Sequence, residues 1–223
     1  MSDVSAKARY HHGDLRTTLL ASAADEIAVV GTAGLSLRAL ARRAGVSHAA
    51  PAHHFGDKRG LFTALATEGF RLLHRRTSAV LGRADALVAS GQGYVEFALE
   101  HPAHFEVMWD VSLVDPLDED LIDARTAAFE VLYEALRTGT GATDDAEVVA
   151  QGAAAWAVVH GVATLWLSGN LPYERDSRLV ERAFRDLAPA LLPVARTSLE
   201  QLHASETTTS PSRSSRRRAR SSR

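Results

Sequence analysis

The sequence of 223 residues contains no cysteine, and this absence excludes several classes of site. Disulfide bonds, iron–sulfur clusters and zinc sites with thiolate ligands all require the cysteine sulfur. The segment MSDVSAKARYHHGDLR lacks the apolar run of a signal peptide, so we expect no secretory leader. The chain also lacks the nucleophile elbow, the HExxH motif and the phosphate-binding glycine loop of common enzyme classes. Apolar residues nevertheless make up 46% of the chain, which is enough for a sizeable core.

Long stretches without charge are scarce, and one of them needs interpretation. VVAQGAAAWAVVHGVATLWLSGNLPY occupies residues 148–173 and is long enough to span a bilayer. Gln151, His160, Ser168 and Asn170 interrupt it, and polar groups are costly in lipid. We therefore expect a buried helix that packs on two sides, and no association with a membrane.

The charged residues are segregated along the chain, although the net charge is only −2. Residues 1–76 carry eleven Lys and Arg against six Asp and Glu, a net charge of +5. Residues 77–204 carry eight against twenty, a net charge of −12, and residues 205–223 carry six against one, again +5. A basic N-terminal region beside an acidic body indicates that the N-terminal region contacts a polyanion.

Apolar residues recur with helical spacing along the chain, whereas the alternation typical of strands is never sustained. The first helix has one apolar face, formed by Leu15, Leu19, Ala23 and Ile27. Two glycines end it, and Ser36, Ser47 and Asp57 are candidate N-caps of three further helices. The last of these carries Leu61, Phe62, Leu65, Leu72 and Leu73. The first 75 residues are therefore predicted to form four helices, in the order long, short, short, long.

The remaining sequence also predicts helices, so the expected fold class is all-α. Pro102 should break one helix, and a segment that starts with acidic residues near Asp118 and ends at a glycine should form another. Thr143 or Asp144 should cap the uncharged helix. A last helix is expected over residues 175–203, bent by Pro189 and Pro193, and the Ser- and Arg-rich segment from Ser205 is expected to be disordered.

A helix-turn-helix motif is predicted between residues 36 and 55. Two helices that cross steeply need a small residue at their closest approach, and the turn between them needs a residue that tolerates positive φ. Ala41 and Gly45 meet these needs, Val46 can fill the turn, and Ser47 can cap the second helix. The basic residues around the motif are Arg38, Arg42, Arg43, Lys58 and Arg59. In such motifs the N-terminal residues of the second helix contact base edges in the major groove.

The residues of this motif resemble a known family. LSLRALARRAGVS and HHFGDKRGLFTAL are similar to the DNA-binding domain of tetracycline-repressor-like (TetR/AcrR) regulators. YHHGDLR resembles the start of the first helix in one large branch of that family. HPAHFEVMW and WAVVHGVATLWL resemble the C-terminal domain of the same branch, which has a Trp-His-Gly signature. The resemblance extends over residues 9–200 and implies a ligand-responsive transcriptional regulator, with repression as the expected activity.

The resemblance implies an all-helical homodimer without a cofactor or enzymatic activity, working in the cytoplasm on the bacterial chromosome. A three-helix head would bind a palindromic double-stranded DNA operator. A helical body would hold a small-molecule effector, and its last two long helices would form the dimer interface. The expected parts are a flexible arm (1–9), the DNA-binding domain (10–57), a linking helix (58–82), the ligand-binding and dimerisation domain (83–203) and the disordered tail (204–223).

The same resemblance assigns DNA-binding roles by position. The residues expected to contact phosphate are Ser36, Arg38 and Lys58, and those expected to face the groove are Ser47, His48, Ala49 and His53. His54 and Phe55 are expected to hold the recognition helix against the core of the head.

The sequence departs from the family pattern at one pair of residues. Pro51 and Ala52 stand where the family usually has Leu-Tyr, and the tyrosine typically contacts the DNA backbone. If Ser47 is the cap, Pro51 is the fourth helical residue, where the cost of its missing N–H is confined to the first turn. Loss of the tyrosine removes one phosphate contact per subunit and should weaken the salt dependence of binding.

Two interpretations of the uncharged helix stay open. His160 is either a hydrogen-bonded core residue, with Gly161 allowing close helix packing, or part of an effector pocket. The pocket would be lined by Phe105, Met108, Trp109, Phe129, Tyr133, Trp156 and His160. Such aromatic and methionine side chains suit a mostly apolar ligand.

Other histidine patterns suggest metal binding or hydrolysis only weakly. The histidines of the head are His11, His12, His48, His53 and His54, and adjacent helical histidines rarely share a metal. His101 and His104 lie three residues apart with Glu100 and Glu106 nearby, and Pro102 fits a helix start equally well. We therefore expect no metal. The alternatives to a regulator are a metal-dependent hydrolase using His101, His104 and Asp110, or a helical scaffold without a DNA role.

Overall fold

The computed structural model describes residues 4–141 and 143–171, and these residues form eight helices and no strand. The helices are α1 (Val4–Gly34), α2 (Leu37–Arg43), α3 (Ala50–Phe55), α4 (Lys58–Ser78), α5 (Ala86–Glu100), α6 (Pro102–Met108), α7 (Glu119–Thr140) and α8 (Asp145–Leu167). The all-α prediction is confirmed, and Pro102 begins a helix directly after the break. The predicted helix over residues 175–203 and the tail lie outside the described residues.

Side-chain caps determine where four of the helices begin. Ser36 accepts a hydrogen bond from Ala39 N at 3.1 Å, and Asp57 accepts one from Gly60 N at 2.8 Å. Asp118 and Asp144 cap α7 and α8 in the same way. Each cap satisfies one N–H that the helix leaves unpaired and contributes about 1 kcal/mol. The predicted caps at Ser36 and Asp57 are thus confirmed, and Asp144 rather than Thr143 caps α8.

The predicted cap of α3 is wrong. α3 begins at Ala50, its N-cap residue is Ala49, and no side chain caps it. Residues 48 and 49 form a turn in which Ala50 N donates to the Ser47 carbonyl at 3.0 Å. Pro51 is therefore the second helical residue and not the fourth. The proline explains the shift, since it has no N–H to bond the Ser47 carbonyl, and the N–H of Ala50 takes that acceptor instead.

The core runs without a break from the N-terminal helices into the rest of the chain, and α4 connects the two regions. α4 packs on α1 and α3 at one end and on α5, α6 and α7 along its length. The fully buried side chains on and around it include Leu19, Leu40, Leu61, Leu65, Phe70, Phe97, Val107 and Leu121. α4 is thus in contact with both regions.

The described residues confirm only half of the prediction that the uncharged helix, α8, packs on two sides. One side is buried through Val148, Gly152, Ala155, Ala163 and Trp166. The opposite side exposes Val149, Ala153, Ala157 and Leu165, with Val149 at 53% and Leu165 at 46% exposure. The reason is geometric, because α5 and α7 cover only one side of α8.

Of the described helices, α8 has the length and hydropathy of a membrane span, and 22% of that window is buried. A single helix of this kind also occurs in soluble proteins, so length and composition do not establish a span.

Glycines allow two close helix contacts, but Gly161 is not one of them. A Cβ on Gly69 of α4 would collide with Met108 Sδ of α6, and a Cβ on Gly152 of α8 would lie 2.7 Å from Tyr133 Cε1 of α7. A Cβ on Gly161 would meet no described atom within 4 Å. Gly161 therefore makes no close helix contact among the described residues.

Candidate functional site

The segment from α2 to α3 has the geometry of a helix-turn-helix unit. Ala41 is fully buried where the two helices meet. Gly45 adopts φ 67°, a conformation that L side chains rarely adopt, and Val46 N donates to the Ala41 carbonyl at 3.0 Å. The half-buried Val46 packs on the core. The small residue, the turn glycine and the apolar plug thus occupy the positions predicted from the sequence.

The outer surface of this unit is basic and contains no acid. Residues 36–56 include three arginines and three histidines, and no Asp or Glu. Ser47, His48 and Ala49 are exposed in the turn before α3, and Ala52 and His53 are exposed on α3 itself. Pro51 is buried and anchors the first turn of α3. Residues 36–56 thus present donors and small side chains, while Arg43 of this unit pairs with Glu26 of α1 at 3.0 Å.

The three residues predicted to contact phosphate differ in their surroundings. Arg38 is exposed on α2. The Ser36 hydroxyl is already the acceptor that caps α2. Lys58 is half-buried, its Nζ donates to the Ala33 carbonyl at 3.3 Å, and it lies 5.4 Å from the centre of the Phe62 ring. Of the three side chains, Arg38 is thus the exposed one for which no hydrogen bond to another described residue is found.

Phe55 holds α3 on the core as predicted. Its ring is 9% exposed within the core cluster, and the Arg16 guanidinium of α1 lies 5.2 Å from its centre. His54 is half-buried beside it, with the two ring centres 6.2 Å apart.

An aromatic cluster fills the space between α5, α6, α7 and α8. Trp109 is at its centre. The centre of its ring lies 5.2 Å from that of Phe70, 5.1 Å from that of Trp156 and 5.4 Å from that of His160. The aromatic cluster comprises Phe70, Tyr94, Phe105, Trp109, Phe129, Tyr133, Trp156 and His160. Phe105 stacks on His160 at 5.3 Å, and Tyr133 stacks on Phe129 at 6.4 Å. Six of the seven residues predicted to line a pocket therefore lie together.

Met108, the seventh predicted residue, has a different contact. It is buried, and its thioether lies against Gly69 of α4. Met108 therefore joins α6 to α4, and Trp109, the next residue, belongs to the aromatic cluster.

Tyr94 of α5 contacts both Trp156 and His160 of α8. Its hydroxyl lies 2.9 Å from His160 Nδ1 and accepts a hydrogen bond from Trp156 Nε1 at 3.3 Å. Burial raises the pKa of the Tyr94 hydroxyl well above its usual range and lowers the pKa of His160 below its usual value. His160 is thus a hydrogen-bonded, half-buried histidine and a member of the aromatic cluster at once.

Nothing supports the alternative of a hydrolase site at His101 and His104. His104 Nε2 lies 3.1 Å from Glu68 of α4, while Glu100 pairs with Arg76 and Glu106 accepts from Thr32. Asp110 accepts from the backbone and hydroxyl of Ser112. No group of three potential metal ligands occurs in the part of the chain that the structure describes.

The loop between α6 and α7, residues 109–118, contacts α4 directly after the helix-turn-helix unit. Arg59 Nε donates to the Val114 carbonyl at 2.9 Å. Asp115 N donates to the Thr63 hydroxyl at 2.9 Å, and that hydroxyl donates to the Arg59 carbonyl. Because this loop begins at Trp109, it connects the aromatic cluster to the first turns of α4.

A polar cleft of about 540 Å³ lies beside these contacts, between α1, α4 and the 109–118 loop. Its charged lining residues are Arg16, Arg59, Arg71, Arg75, Asp57, Glu68, Asp115, Asp118 and Asp120. Arg71 and Asp120 pair across it at 2.7 Å. The mixed charge distinguishes this cleft from the apolar surface of the aromatic cluster.

Two regions of the chain match sequence models of known families. Residues 19–65 match "Bacterial regulatory proteins, tetR family", and residues 87–187 match "Tetracyclin repressor-like, C-terminal domain". The chain belongs to the tetracycline-repressor (TetR) family. It is accordingly a DNA-binding transcriptional regulator of the ligand-responsive type, and the second match includes the segment with Trp156 and His160.

Solved structures similar to the chain agree with this TetR-family fold. A protein of unknown function from Rhodococcus sp. RHA1 is 32% identical, with 82% of this chain and 98% of that chain covered and a TM-score of 0.66. The TetR-family regulator PfmR from Thermus thermophilus is 24% identical, with 76% and 95% covered and a TM-score of 0.60. A tetR-family regulatory protein from Rhodococcus RHA1 is 20% identical, with 77% and 95% covered and a TM-score of 0.59. No protein with a curated description matches the sequence.

Sequence reasoning missed two members of the aromatic cluster of this TetR-family chain. Phe70 lies on α4 and Tyr94 on α5, and neither belongs to the motifs that carry the resemblance. Tyr94 is 66 residues from its partner His160, so no local pattern indicates the contact. A buried tyrosine needs a partner for its hydroxyl, and this requirement is the signal that could have suggested a search for one.

Proposed function

We propose that this TetR-family regulator is a homodimeric repressor that a small, mostly apolar effector releases from a palindromic operator. The observation that carries the proposal is the connection between two separate surfaces. The acid-free surface of α2 and α3 suits DNA, and the aromatic cluster suits an apolar ligand. The 109–118 loop begins in the aromatic cluster and bonds to Arg59 and Thr63 directly after α3.

The DNA-binding residues follow from position and exposure. Ser47, His48, Ala49 and His53 are exposed and would face the base edges, and Arg38 would contact phosphate. Lys58 and Ser36 would contribute through the ends of the helices that they hold in place. His54 would support the recognition helix through its contact with Phe55.

The release mechanism is a difference in affinity between two arrangements of the dimer. An effector between the rings around Trp109 would displace the 109–118 loop, and with it the start of α4 and the attached α3. DNA binding needs both recognition helices to meet half-sites about one DNA turn, roughly 34 Å, apart. A ligand that favours a different spacing therefore lowers operator affinity.

The second subunit would cover the exposed side of α8. Val149, Ala153, Ala157 and Leu165 form an uncharged side of a long helix that no described helix covers. Small side chains allow close approach of a second copy, and apolar area of this kind favours association. Because the regulator acts on the chromosome, we place it in the cytoplasm.

A gel-shift experiment with genomic fragments from around the regulator's own gene tests the DNA-binding role. We expect specific binding at about 100 mM salt, and a loss on the order of 10-fold in affinity for Arg38→Glu, because the exposed cation becomes an anion. Arg83→Glu, an exposed arginine after α4, is the matched control and should bind as the unmodified protein does. Absence of any fragment bound above the nonspecific background would refute the proposal.

A further inference from the structure

Trp109 carries a hydrogen-bond donor with no acceptor. Its Nε1 is buried and has no hydrogen-bond partner among the described residues, although the side chain as a whole is only half-buried. An indole N–H can only donate, and buried donors without a partner are rare in folded proteins. The group that would complete Trp109 is therefore an acceptor supplied from outside the described residues.

Trp109 differs in this respect from two other residues with unpartnered buried atoms. Trp166 is 2% and Ser90 is 5% exposed, and neither is a member of the aromatic cluster. Trp109 lies at the centre of the aromatic cluster, so its donor is the one of the three that a ligand between these rings would meet.

His160 supplies a second donor to the same place. The Tyr94 hydroxyl accepts from Trp156 Nε1, and we assign its own proton to the bond with its other described partner, His160 Nδ1. The imidazole then carries its proton on Nε2. Burial lowers the pKa of His160, which keeps the ring neutral at neutral pH. Nε2–H is a donor for which the described residues provide no acceptor, and the His160 ring lies 5.4 Å from that of Trp109.

The aromatic cluster contains no charged side chain. Four acidic residues are adjacent in sequence to members of the cluster. Glu106 accepts from Thr32 and Asp110 accepts from Ser112, while Glu130 and Glu134 are exposed. Among the described members of the cluster, a carboxylate or phosphate would find no counter-charge, and an ammonium group would face two N–H donors. An anion or cation between these rings would lose its hydration without compensation.

We propose that the effector of this regulator is an uncharged, flat, apolar molecule with a hydrogen-bond-accepting oxygen, held by Trp109 Nε1–H and His160 Nε2–H. The inference rests on the proposed function, because it takes the aromatic cluster as the effector site. Ketones, esters, lactones and amides on an aromatic or conjugated body belong to this class, since their oxygen accepts hydrogen bonds and the rings of Phe105, Trp156 and Phe129 can stack on their faces.

Four naphthalene probes of similar size test the ligand class on the full chain by isothermal titration calorimetry. They are 2-acetylnaphthalene, its hydrocarbon analogue 2-isopropenylnaphthalene, 2-naphthoate and trimethyl(2-naphthyl)ammonium. We expect the ketone to bind on the order of 10-fold more tightly than the hydrocarbon, which leaves both donors unpaired. We expect the two charged probes to bind more weakly than the ketone.

Two tryptophan variants separate the donor from the ring area. Trp109→Phe should reduce the preference for the ketone over the hydrocarbon, because only the His160 donor remains. Trp166→Phe is the matched control and should keep the preference, because Trp166 also has a buried N–H without a described partner and is not a member of the aromatic cluster. Thermal unfolding and operator binding of each variant verify that it is folded.

Several outcomes would overturn the proposal. They are equal binding of the ketone and the hydrocarbon, tightest binding of a charged probe, unchanged preference in Trp109→Phe, or no binding of any probe at its solubility limit. The gel shift distinguishes this failure from failure of the proposed function. A protein that binds an operator but prefers the carboxylate loses only the ligand class, whereas a protein that binds no DNA loses the regulatory role whatever the probes do.

Discussion

At the scale of single residues, the recognition helix depends on Pro51 and Ala52. Pro51 cannot donate to the Ser47 carbonyl, and α3 therefore begins at Ala50, after a turn that leaves Ser47, His48 and Ala49 exposed. Ala52 is exposed on α3, where the family pattern has a tyrosine. The proline thus shortens α3, and the residues before the helix stay exposed.

Substitution of Ala52 by tyrosine should restore the missing backbone contact. We expect Ala52→Tyr to raise operator affinity and to steepen the dependence of log K on log salt by about 0.9 per added phosphate contact. Fluorescence anisotropy at several salt concentrations measures both quantities. Ala127→Tyr, at an exposed alanine of α7, is the control and should change neither. A change in the preferred operator sequence would show that α3 lies differently on the DNA.

At the scale of elements, hydrogen bonds join the 109–118 loop to the first turns of α4. The Thr63 hydroxyl accepts from Asp115 N and donates to the Arg59 carbonyl, so a single buried side chain joins the loop to the first turns of α4. Thr67 lies one turn further along and is equally buried, but its hydroxyl bonds only within α4, to the Thr63 carbonyl at 2.8 Å. A comparison of substitutions at Thr63 and Thr67 therefore separates the effect of losing the bond to the loop from the effect of losing a buried hydroxyl.

Replacement of Thr63 by valine should break this link at constant volume. We expect Thr63→Val to lower the free energy of unfolding by about 1–3 kcal/mol, because Asp115 N loses its acceptor, and Thr67→Val to cost less. Urea unfolding measures the stability, and amide hydrogen exchange at Asp115 should accelerate only in Thr63→Val. Equal effects of the two substitutions on exchange at Asp115 would contradict the link.

At the scale of the whole molecule, the side of α8 that no described helix covers is where we propose that a second copy of the chain binds. Its exposed residues are apolar or small, and the described helices pack only on the opposite side. A second copy of the chain would place two basic surfaces in one particle, as a palindromic operator demands.

Charge on this side of α8 should separate the subunits. Ala157 is exposed, so Ala157→Glu is expected to leave the fold of the single chain intact while burying a carboxylate in the dimer interface. Light scattering after size exclusion should then give the mass of one chain, 24.0 kDa, and specific operator binding should be lost. Ala127→Glu on α7 is the matched control and should remain dimeric. A dimeric Ala157→Glu protein would place the interface elsewhere.

Local interactions account for the features that could be predicted from the amino-acid sequence, namely the all-α class, the turn at Gly45, the caps at Ser36 and Asp57, and the family. These features depend on contacts within a few residues, such as a side chain that caps the N–H three positions on, or a glycine that permits positive φ. The start of α3 was harder to predict, because Pro51 and Ser47 compete for the same turn.

Helix packing, in contrast, sets which distant side chains meet. Tyr94 and His160 are 66 residues apart, and Glu68 and His104 are 36 apart, so their contacts follow from how α4, α5, α6 and α8 pack. The same packing leaves one side of α8 exposed and the Trp109 N–H without an acceptor among the described residues. Helix propensity and capping act locally, whereas these contacts depend on the relative positions of whole helices, and that is why no motif in the sequence indicated them.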